Sequence, residues 1–307
     1  MGMVILIEHI QPMGMVLLTE HMHEEAGFFL SVDQIMVLYL CVLLALFGLI
    51  WGSFADCAVS RWAAGEKMFG GRSRCFSCGH ILGVLDLIPV VSWLVRRGKC
   101  RYCGEKIPAD CLVAELVGAA AFVLVGLRFA PDAELGIWYF FYSGKTGLLF
   151  TALALVQWTV WAAIMLALAL TDAAKRIIPN GLLIALAVNR VLWFFLGQEE
   201  FSVALDVLKA CIVPAVLLIL VLLVEKLMER EVMGGGDIKL LFALALYLTW
   251  VQMLLMLLVA CVLGLIFAAV SQRKRGTAMP FGPFLAAAAL VVVCFGEPVI
   301  QWYFSLF

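Results

Sequence analysis

Apolar residues along this chain gather in long uninterrupted runs, separated by polar segments. They do not alternate at the short periods of half-buried elements. The first run is Ile35–Phe54, ending in the small residues Gly48, Gly52 and Ser53. After a polar stretch to Asp110, further runs cover Cys111–Ala130, Leu148–Thr171, the shorter Gly181–Gly197 carrying Arg190, and Val207–Val224 with an internal Pro214. About 20 apolar residues in a helix cross the hydrocarbon core of a bilayer, and a proline is tolerated in such a helix. The run Ile238–Val270 holds 33 residues, too many for one comfortable crossing. A break at Thr249-Trp250-Val251-Gln252 gives a short sixth helix and a seventh of ordinary length. An eighth follows Arg273-Lys274-Arg275, from Pro280 to Phe295. The pattern predicts an all-α polytopic membrane protein with about eight transmembrane helices.

Composition agrees. Of 307 residues, 65% are hydrophobic and 14% charged, with a mean hydropathy of +1.08; soluble domains run near 45–50% apolar and 25% charged. A soluble globular enzyme, a disordered chain and a small disulfide scaffold are excluded. The 21 basic and 22 acidic side chains nearly cancel, so net charge points to no nucleic acid partner. Their placement says more. The loops 55–110, 172–180, 225–239 and 271–279 hold seventeen of the 21 Lys and Arg residues. With eight crossings these four loops share one side, which the positive-inside rule makes cytoplasmic, with both termini outside.

The chain divides into a non-cytoplasmic tail (1–33), a first helix (34–54), a cytoplasmic domain (55–110) and a seven-helix membrane domain (111–307). In the tail, Met1–Val4 recurs as Met13–Val16 beside His9, His21, His23, Glu24 and Glu25. A solvated tail is the simpler reading than a metal site at His21-x-His23. The tail has neither the basic start nor the small-residue cleavage site of a signal peptide.

Within the cytoplasmic domain, Cys75-x2-Cys78 and Cys100-x2-Cys103 stand 21 residues apart, with Gly79 and Gly104 directly after each pair. Two such pairs make a tetrahedral four-thiolate zinc site. Two disulfides are the alternative, disfavoured in a reducing cytosol. Four thiolates leave no open coordination position, so the zinc is expected to be structural, folding a loop too small for its own core. The other six cysteines (41, 57, 111, 211, 261 and 294) read as small packing residues.

Carboxylates in or near a membrane mark function by default. Asp172 closes the third run and precedes Lys175-Arg176-Ile177-Ile178-Pro179-Asn180; Asp237 opens the sixth, after Gly234-Gly235-Gly236. The eight-helix topology puts both at one membrane boundary. Two carboxylates brought together there do not both ionise cheaply. One can then act as base on water while the other, protonated, polarises a scissile carbonyl, as in aspartic proteases. Helix capping and pairing with Lys175, Arg176 or Lys239 compete with that reading. Glycines before Asp237 favour it, because a backbone without side chains admits an extended peptide and adopts angles other residues avoid.

Gly234-Gly235-Gly236-Asp237-Ile238-Lys239-Leu240 resembles the GxGD motif of intramembrane aspartyl peptidases, in the form found in bacterial type IV prepilin peptidases. The likeness extends to Gly52-Ser53-Phe54, both CxxC pairs, Asp86-x-x-Pro89-x-x-Ser92-Trp93, Arg97–Gly104, Glu115, Asp172 with Ile178-Pro179-Asn180, and Pro280-Phe281-Gly282-Pro283-Phe284. It covers roughly residues 50–295, in the family's order. The resemblance implies cleavage of the basic leader of prepilins or pseudopilins at the cytoplasmic membrane face, with Asp172 and Asp237 catalytic and Gly234, Gly235 and Gly236 near the substrate. It also implies N-methylation of the new terminus by S-adenosylmethionine, with Gly98 and Glu115 as candidate residues for the methyl donor, and residence in the bacterial inner membrane. This chain departs from the family at Asp56, where Asn is common, at Ala63 in place of a proline, and at Ala174, where many members carry a second acid. Asp172 is therefore the sole acid of its motif. An ion-coupled transporter using both aspartates as a proton relay, and a zinc-bearing scaffold of a secretion system, are the competing readings.

Overall fold

Inside a bilayer every backbone N–H and C=O needs a partner within the protein, and a helix supplies them within one segment. The long apolar runs are accordingly helical throughout. The computed structural model describes residues 32–68, 71–143, 146–196, 201–229, 233–271 and 279–306. Residues 1–31 of the expected tail and the triplet Arg273–Arg275 lie outside those residues, while residues 32 and 33 already belong to the first helix. Internal contacts divide the chain into residues 1–39 and 40–307. Of the first unit only the opening of one helix is described; the helix bundle and its site belong to the second.

The helices are α1 (Val32–Ala63), α2 (Val91–Val95), α3 (Asp110–Ser143), α4 (Thr146–Lys175), α5 (Asn180–Leu196), α6 (Phe201–Met228), α7 (Gly235–Leu244), α8 (Trp250–Val270) and α9 (Gly282–Phe304). Among the described residues no strand forms, only isolated antiparallel bridges at Arg74–Ile81 and Lys99–Lys106.

All eight expected apolar runs are helical, while the count of eight crossings is not confirmed. Among the described residues six helices have the length and composition to span: Val37–Ala63, Asp110–Arg128, Ala152–Lys175, Val207–Met228, Trp250–Val270 and Gly282–Phe304. α5 is shorter, and α7, at ten residues, is only about 15 Å long. α1 also runs nine residues past the expected Phe54. Ala55, Ala58 and Val59 are buried, and with Trp62 they repeat at helical spacing, which outweighs the intervening Asp56 and Arg61.

The expected break in the 238–270 run is present. α8 starts on a capping box in which Gln252 N donates to Thr249 Oγ1 (3.4 Å) and Thr249 N to Gln252 Oε1 (2.9 Å). The turn before it is held by α5: Tyr247 OH donates to Leu186 O (2.7 Å), Asn189 Nδ2 to Tyr247 OH (3.0 Å) and Arg190 Nε to Leu246 O (2.8 Å). Arg190, whose partner sequence alone does not show, thus serves the Leu246 carbonyl in the turn after α7.

α4 is the central column, packed by α3, α5 and α9. Trp161 and Leu168 of α4, Leu240, Leu241 and Leu244 of α7, Met253 and Met256 of α8 and Leu285 of α9 form the fully buried core. α1 meets α3 through small residues. A Cβ on Gly48 would overlap the Gly118 carbonyl, and one on Gly52 would overlap that of Ala114; such spacing lets membrane helices approach backbone to backbone.

Candidate active site and metal centre

Four elements end together around Asp172. It sits in the last turn of α4 and is 5% exposed. Gly282, opening α9, donates its N–H to Asp172 Oδ2 at 2.9 Å. α4 closes at Arg176, which takes a left-handed φ of 55° and donates its N–H to Asp172 O (2.8 Å). The chain then reverses through Ile178-Pro179 into α5. Ile178 is buried and lies under Gly236, where a Cβ would come within 3.2 Å of Ile178 Cβ. That contact seats the first turn of α7, with Lys239 Nζ donating to Asn180 Oδ1 (3.4 Å).

Asp237 is half-buried in that first turn and close enough to feel the charge of Asp172. Burial, and secondarily that charge, push its carboxyl up to about 6. The two acids that sequence places in separate motifs are thus electrostatic neighbours at one end of the helix bundle.

The glycines differ from expectation in how they act. None of the three has a left-handed backbone, and Gly234 sits at φ −64°, ψ 134°, so conformational freedom is not their role. Gly234 and Gly235 are exposed. A Cβ at Gly235 would meet nothing within 4 Å. Openness distinguishes the first two, and close packing the third.

Gly282 is a site residue that residue-by-residue reading did not single out. A Cβ there would stand 2.7 Å from Asp172 Oδ2 and 2.9 Å from its Cγ. The available signal was a glycine flanked by prolines at a helix start, where backbone N–H groups have no partner within the helix.

A second centre lies in the domain between α1 and α3. The Sγ atoms of Cys75, Cys78, Cys100 and Cys103 all lie within 4.8 Å of one another, with Cys75 and Cys103 at 3.9 Å. A tetrahedral zinc with 2.3 Å bonds sets sulfurs about 3.8 Å apart, so the cluster fits a metal ion of that kind. Its two halves repeat one hairpin. Cys75 N donates to His80 O (2.9 Å) and Gly79 N to Cys75 O (2.9 Å); Cys100 N donates to Glu105 O (2.8 Å) and Gly104 N to Cys100 O (3.0 Å). Gly79 and Gly104 take φ of 70° and 72°, which glycine adopts without strain.

Asp86 binds the domain's helical segment together, accepting from Gly83 N (3.1 Å) and Tyr102 OH (3.2 Å) and pairing with Arg96 (2.9 Å). Burial would raise its pKa. The Gly83 N–H, the Tyr102 hydroxyl and Arg96 outweigh that and hold it below the usual carboxylate value.

Glu115 and Gly98 have identifiable local roles. Glu115 is 4% exposed; its Oε2 accepts from Val90 N (2.6 Å) and its Oε1 from Cys111 Sγ (3.5 Å). Cys111 therefore does more than pack. Gly98, at φ 67°, lies against the Trp93 ring, where a Cβ would come within 2.9 Å. The contacts these two make are with protein groups.

Helix ends that border several of the basic loops come together around Asp172. Lys175 Nζ donates to Trp62 O (2.7 Å) and lies over the Trp62 ring, which brings the entrance of the cysteine domain beside the end of α4. The starts of α7 and α9 join there through Asp237 and Gly282.

Comparison with known proteins agrees with this architecture. Residues 46–129 match the family described as the bacterial peptidase A24 N-terminal domain, and residues 159–269 match the type IV leader peptidase family. The chain is 33% identical over 236 residues to a prepilin leader peptidase/N-methyltransferase of Dichelobacter nodosus, covering 75% of this chain and 73% of that one. It is 32% identical over 240 residues to that of Aeromonas hydrophila (77% and 76%), and 29% identical over 269 residues to that of Bacillus subtilis (86% and 98%). No solved structure matches the chain. The fold and site are those of a polytopic helical membrane protein with a paired-aspartate centre and a four-cysteine domain. The chain belongs to the type IV leader peptidase family.

Proposed function

We propose that this protein is a prepilin leader peptidase and N-methyltransferase of the bacterial inner membrane, serving prepilins or pseudopilins, with its active end facing the cytoplasm. The observation that carries the peptidase assignment is the meeting of Asp172 and Asp237 beside the exposed backbone of Gly234 and Gly235. The substrate's apolar segment stays in the bilayer and its basic leader stays outside, which holds the scissile bond at the depth of the two acids. Binding energy from the long apolar helix positions a bond the enzyme touches only locally. One carboxylate takes a proton from water as its oxygen adds to the carbonyl carbon. The other, protonated, hydrogen-bonds the carbonyl oxygen. Collapse of the tetrahedral centre breaks the C–N bond, and the departing nitrogen takes up a proton. The elevated pKa of Asp237, about 6, lets it keep a proton at mildly acidic pH where an ordinary carboxyl is ionised, which supports its service as the protonated partner there. Gly234 and Gly235 border the extended substrate, and Gly236 seats the turn they lie on.

Cys75, Cys78, Cys100 and Cys103 hold a structural zinc in this proposal. The metal supplies folding energy to a small domain and takes no part in cleavage. S-adenosylmethionine is the proposed methyl donor. Gly98 and Glu115 enter as residues that shape the segment between the cysteine pairs and α3, with no donor atom assigned to them. Transport finds no support in relatives that bear peptidase names.

The test is one assay on purified protein with a prepilin, with and without methyl donor. Leader release establishes the peptidase, and methyl incorporation establishes the second activity. Substantial cleavage by Asp172→Asn or Asp237→Asn would sink the catalytic assignment.

A further inference from the structure

The segment between the cysteine pairs presents apolar side chains where a small soluble domain would bury them. Val84 is 83% exposed, Val95 76%, Leu85 66% and Leu94 58%. Exposed apolar patches of this kind mark contact surfaces.

The depth of the segment is set by the helices beside it. Val90 N donates to Glu115 Oε2 at 2.6 Å, and Glu115 lies five residues inside the spanning stretch that begins at Asp110. Gly52 of α1 meets Ala114 and Glu115, and the adjacent Trp51 Nε1 donates to Ala163 O of α4 at 3.0 Å. Gly118, three residues further along α3, faces Leu166 of the antiparallel α4, so Glu115 lies about one helical turn from the level of Asp172. The hydrogen bond from Val90 N to this buried carboxylate therefore holds the segment against the helix ends, at the edge of the spanning stretch.

Charge is arranged to match. Arg97, Lys99 and Arg101 are exposed directly after the apolar residues. A cleft of about 530 Å³ is lined by Leu85 and Val95 together with Arg96, Lys99, Cys100 and Arg101. Apolar side chains bordered by cations are the pattern of elements that lie in a membrane interface and engage anionic headgroups.

We propose that the segment Val84–Val95 is embedded in the interface of the adjoining leaflet. Its apolar side chains lie among acyl chains, and Arg97, Lys99 and Arg101 contact anionic phospholipid headgroups. The cysteine domain is then a membrane-surface device tethered at three places: the end of α1, the start of α3 and this segment. The placement stands apart from the peptidase assignment and does not depend on it.

The experiment uses the full-length protein in nanodiscs. A photo-crosslinking phenylalanine analogue replaces Leu85 or Val95, and for comparison Lys67, just beyond the end of α1. With phosphatidylglycerol discs, lipid adducts are expected at Leu85 and Val95 and not at Lys67. Adducts no more frequent at Leu85 and Val95 than at Lys67 would overturn the proposal, as would crosslinks there to an added prepilin in place of lipid. Exchange of phosphatidylglycerol for phosphatidylcholine is expected to lower the adduct yield at least about fivefold, the contribution of a single basic residue at an anionic surface; an unchanged yield would overturn the headgroup contacts. Hydroxyl-radical footprinting of the unaltered protein covers the case in which the labelled chains misfold. Leu85 is expected to be protected as fully as Leu220, which is exposed on the apolar α6, whereas oxidation at the rate of a solvent-exposed leucine would overturn the placement.

Discussion

Replacing Gly282 by alanine adds one methyl group at the point where α9 touches Asp172. The new Cβ would lie 2.7, 2.9 and 3.0 Å from Asp172 Oδ2, Cγ and Cβ, where ordinary contacts begin near 3.5 Å. Something must move by about 0.8 Å. Asp172 is nearly fully buried and its side chain is short, so it cannot swing into solvent without leaving the site. A shift of that size also breaks the 2.9 Å hydrogen bond from Gly282 N. Misplacement of a reacting group by about 1 Å costs on the order of 100-fold in rate, and overpacking costs about 1–3 kcal/mol of stability. The expected result is a kcat on a prepilin reduced about 100-fold, a nearly unchanged KM and a variant that still purifies folded. Gly282 has no left-handed backbone to lose, so alanine tests the steric contact alone. Gly235→Ala is the internal comparison. Its Cβ meets no protein atom, so folding and kcat should survive while KM rises as the methyl obstructs the substrate. If Gly282→Ala retained more than half of wild-type kcat, the geometric account of how Asp172 is held would be wrong.

The remaining expectations concern charge, metal and a buried cation. Asp237 has a raised folded-state pKa, so the stability associated with its neutral form is present below the ordinary value near 4 and is lost as pH rises through about 6. Asp237→Asn should therefore abolish cleavage yet stabilise the protein above pH 6, by about 1 kcal/mol after allowance for partial exposure; no gain in melting temperature at pH 7.5 relative to pH 4.5 would contradict this. Serine at Cys75 or Cys100 should remove bound zinc, read by elemental analysis, and impair methyl transfer more than cleavage, since α4, α7 and α9 hold the two aspartates. Arg190→Leu withdraws the donor from the Leu246 carbonyl and should cost about 1–3 kcal/mol, seen as a lower melting temperature; an unchanged melting temperature would mean that the carbonyl finds water.

Chemistry borne by neighbouring residues was legible in the sequence. The two CxxC pairs, the glycine run before Asp237 and the break at Thr249–Gln252 each declare themselves within a few positions, because a metal knuckle or a capping box is a local object. The expectation that Asp172 and Asp237 lie at one boundary comes from grouping seventeen basic residues on four loops, and the contacts around Asp172 agree with that much of it. Asp172, Asp237, Gly282 and Trp62 still assemble the same end. Lost from view were contacts made across long separations. Gly282 lies 110 positions from Asp172, and Leu246 lies 56 from Arg190; neither distance leaves a periodic trace. The length of α1 was misjudged for another reason. Asp56 and Arg61 interrupt the hydropathy, while Ala55, Ala58, Val59 and Trp62 continue the helical face beneath them.

Lys175 shows how these two kinds of information combine. As sequence it is one basic residue beside Asp172 and counts only towards the charge of its loop. In the fold it reaches the Trp62 carbonyl in the last turn of α1, and a cation is favourable at that negative end of a helix dipole. The same turn leads directly into the cysteine domain. That domain's other exit is α3, whose Glu115 holds Val90. Polar contacts therefore tie the domain to the membrane bundle near both of its ends, one of them three residues from Asp172. With zinc bound as proposed, a rigid fold between two such anchors would set where the domain stands relative to the scissile bond. A new N-terminus released at Asp172 and Asp237 would then have a fixed distance to travel before methylation, and loss of the Lys175 contact by Lys175→Met should slow methyl transfer on a substrate that is still cleaved.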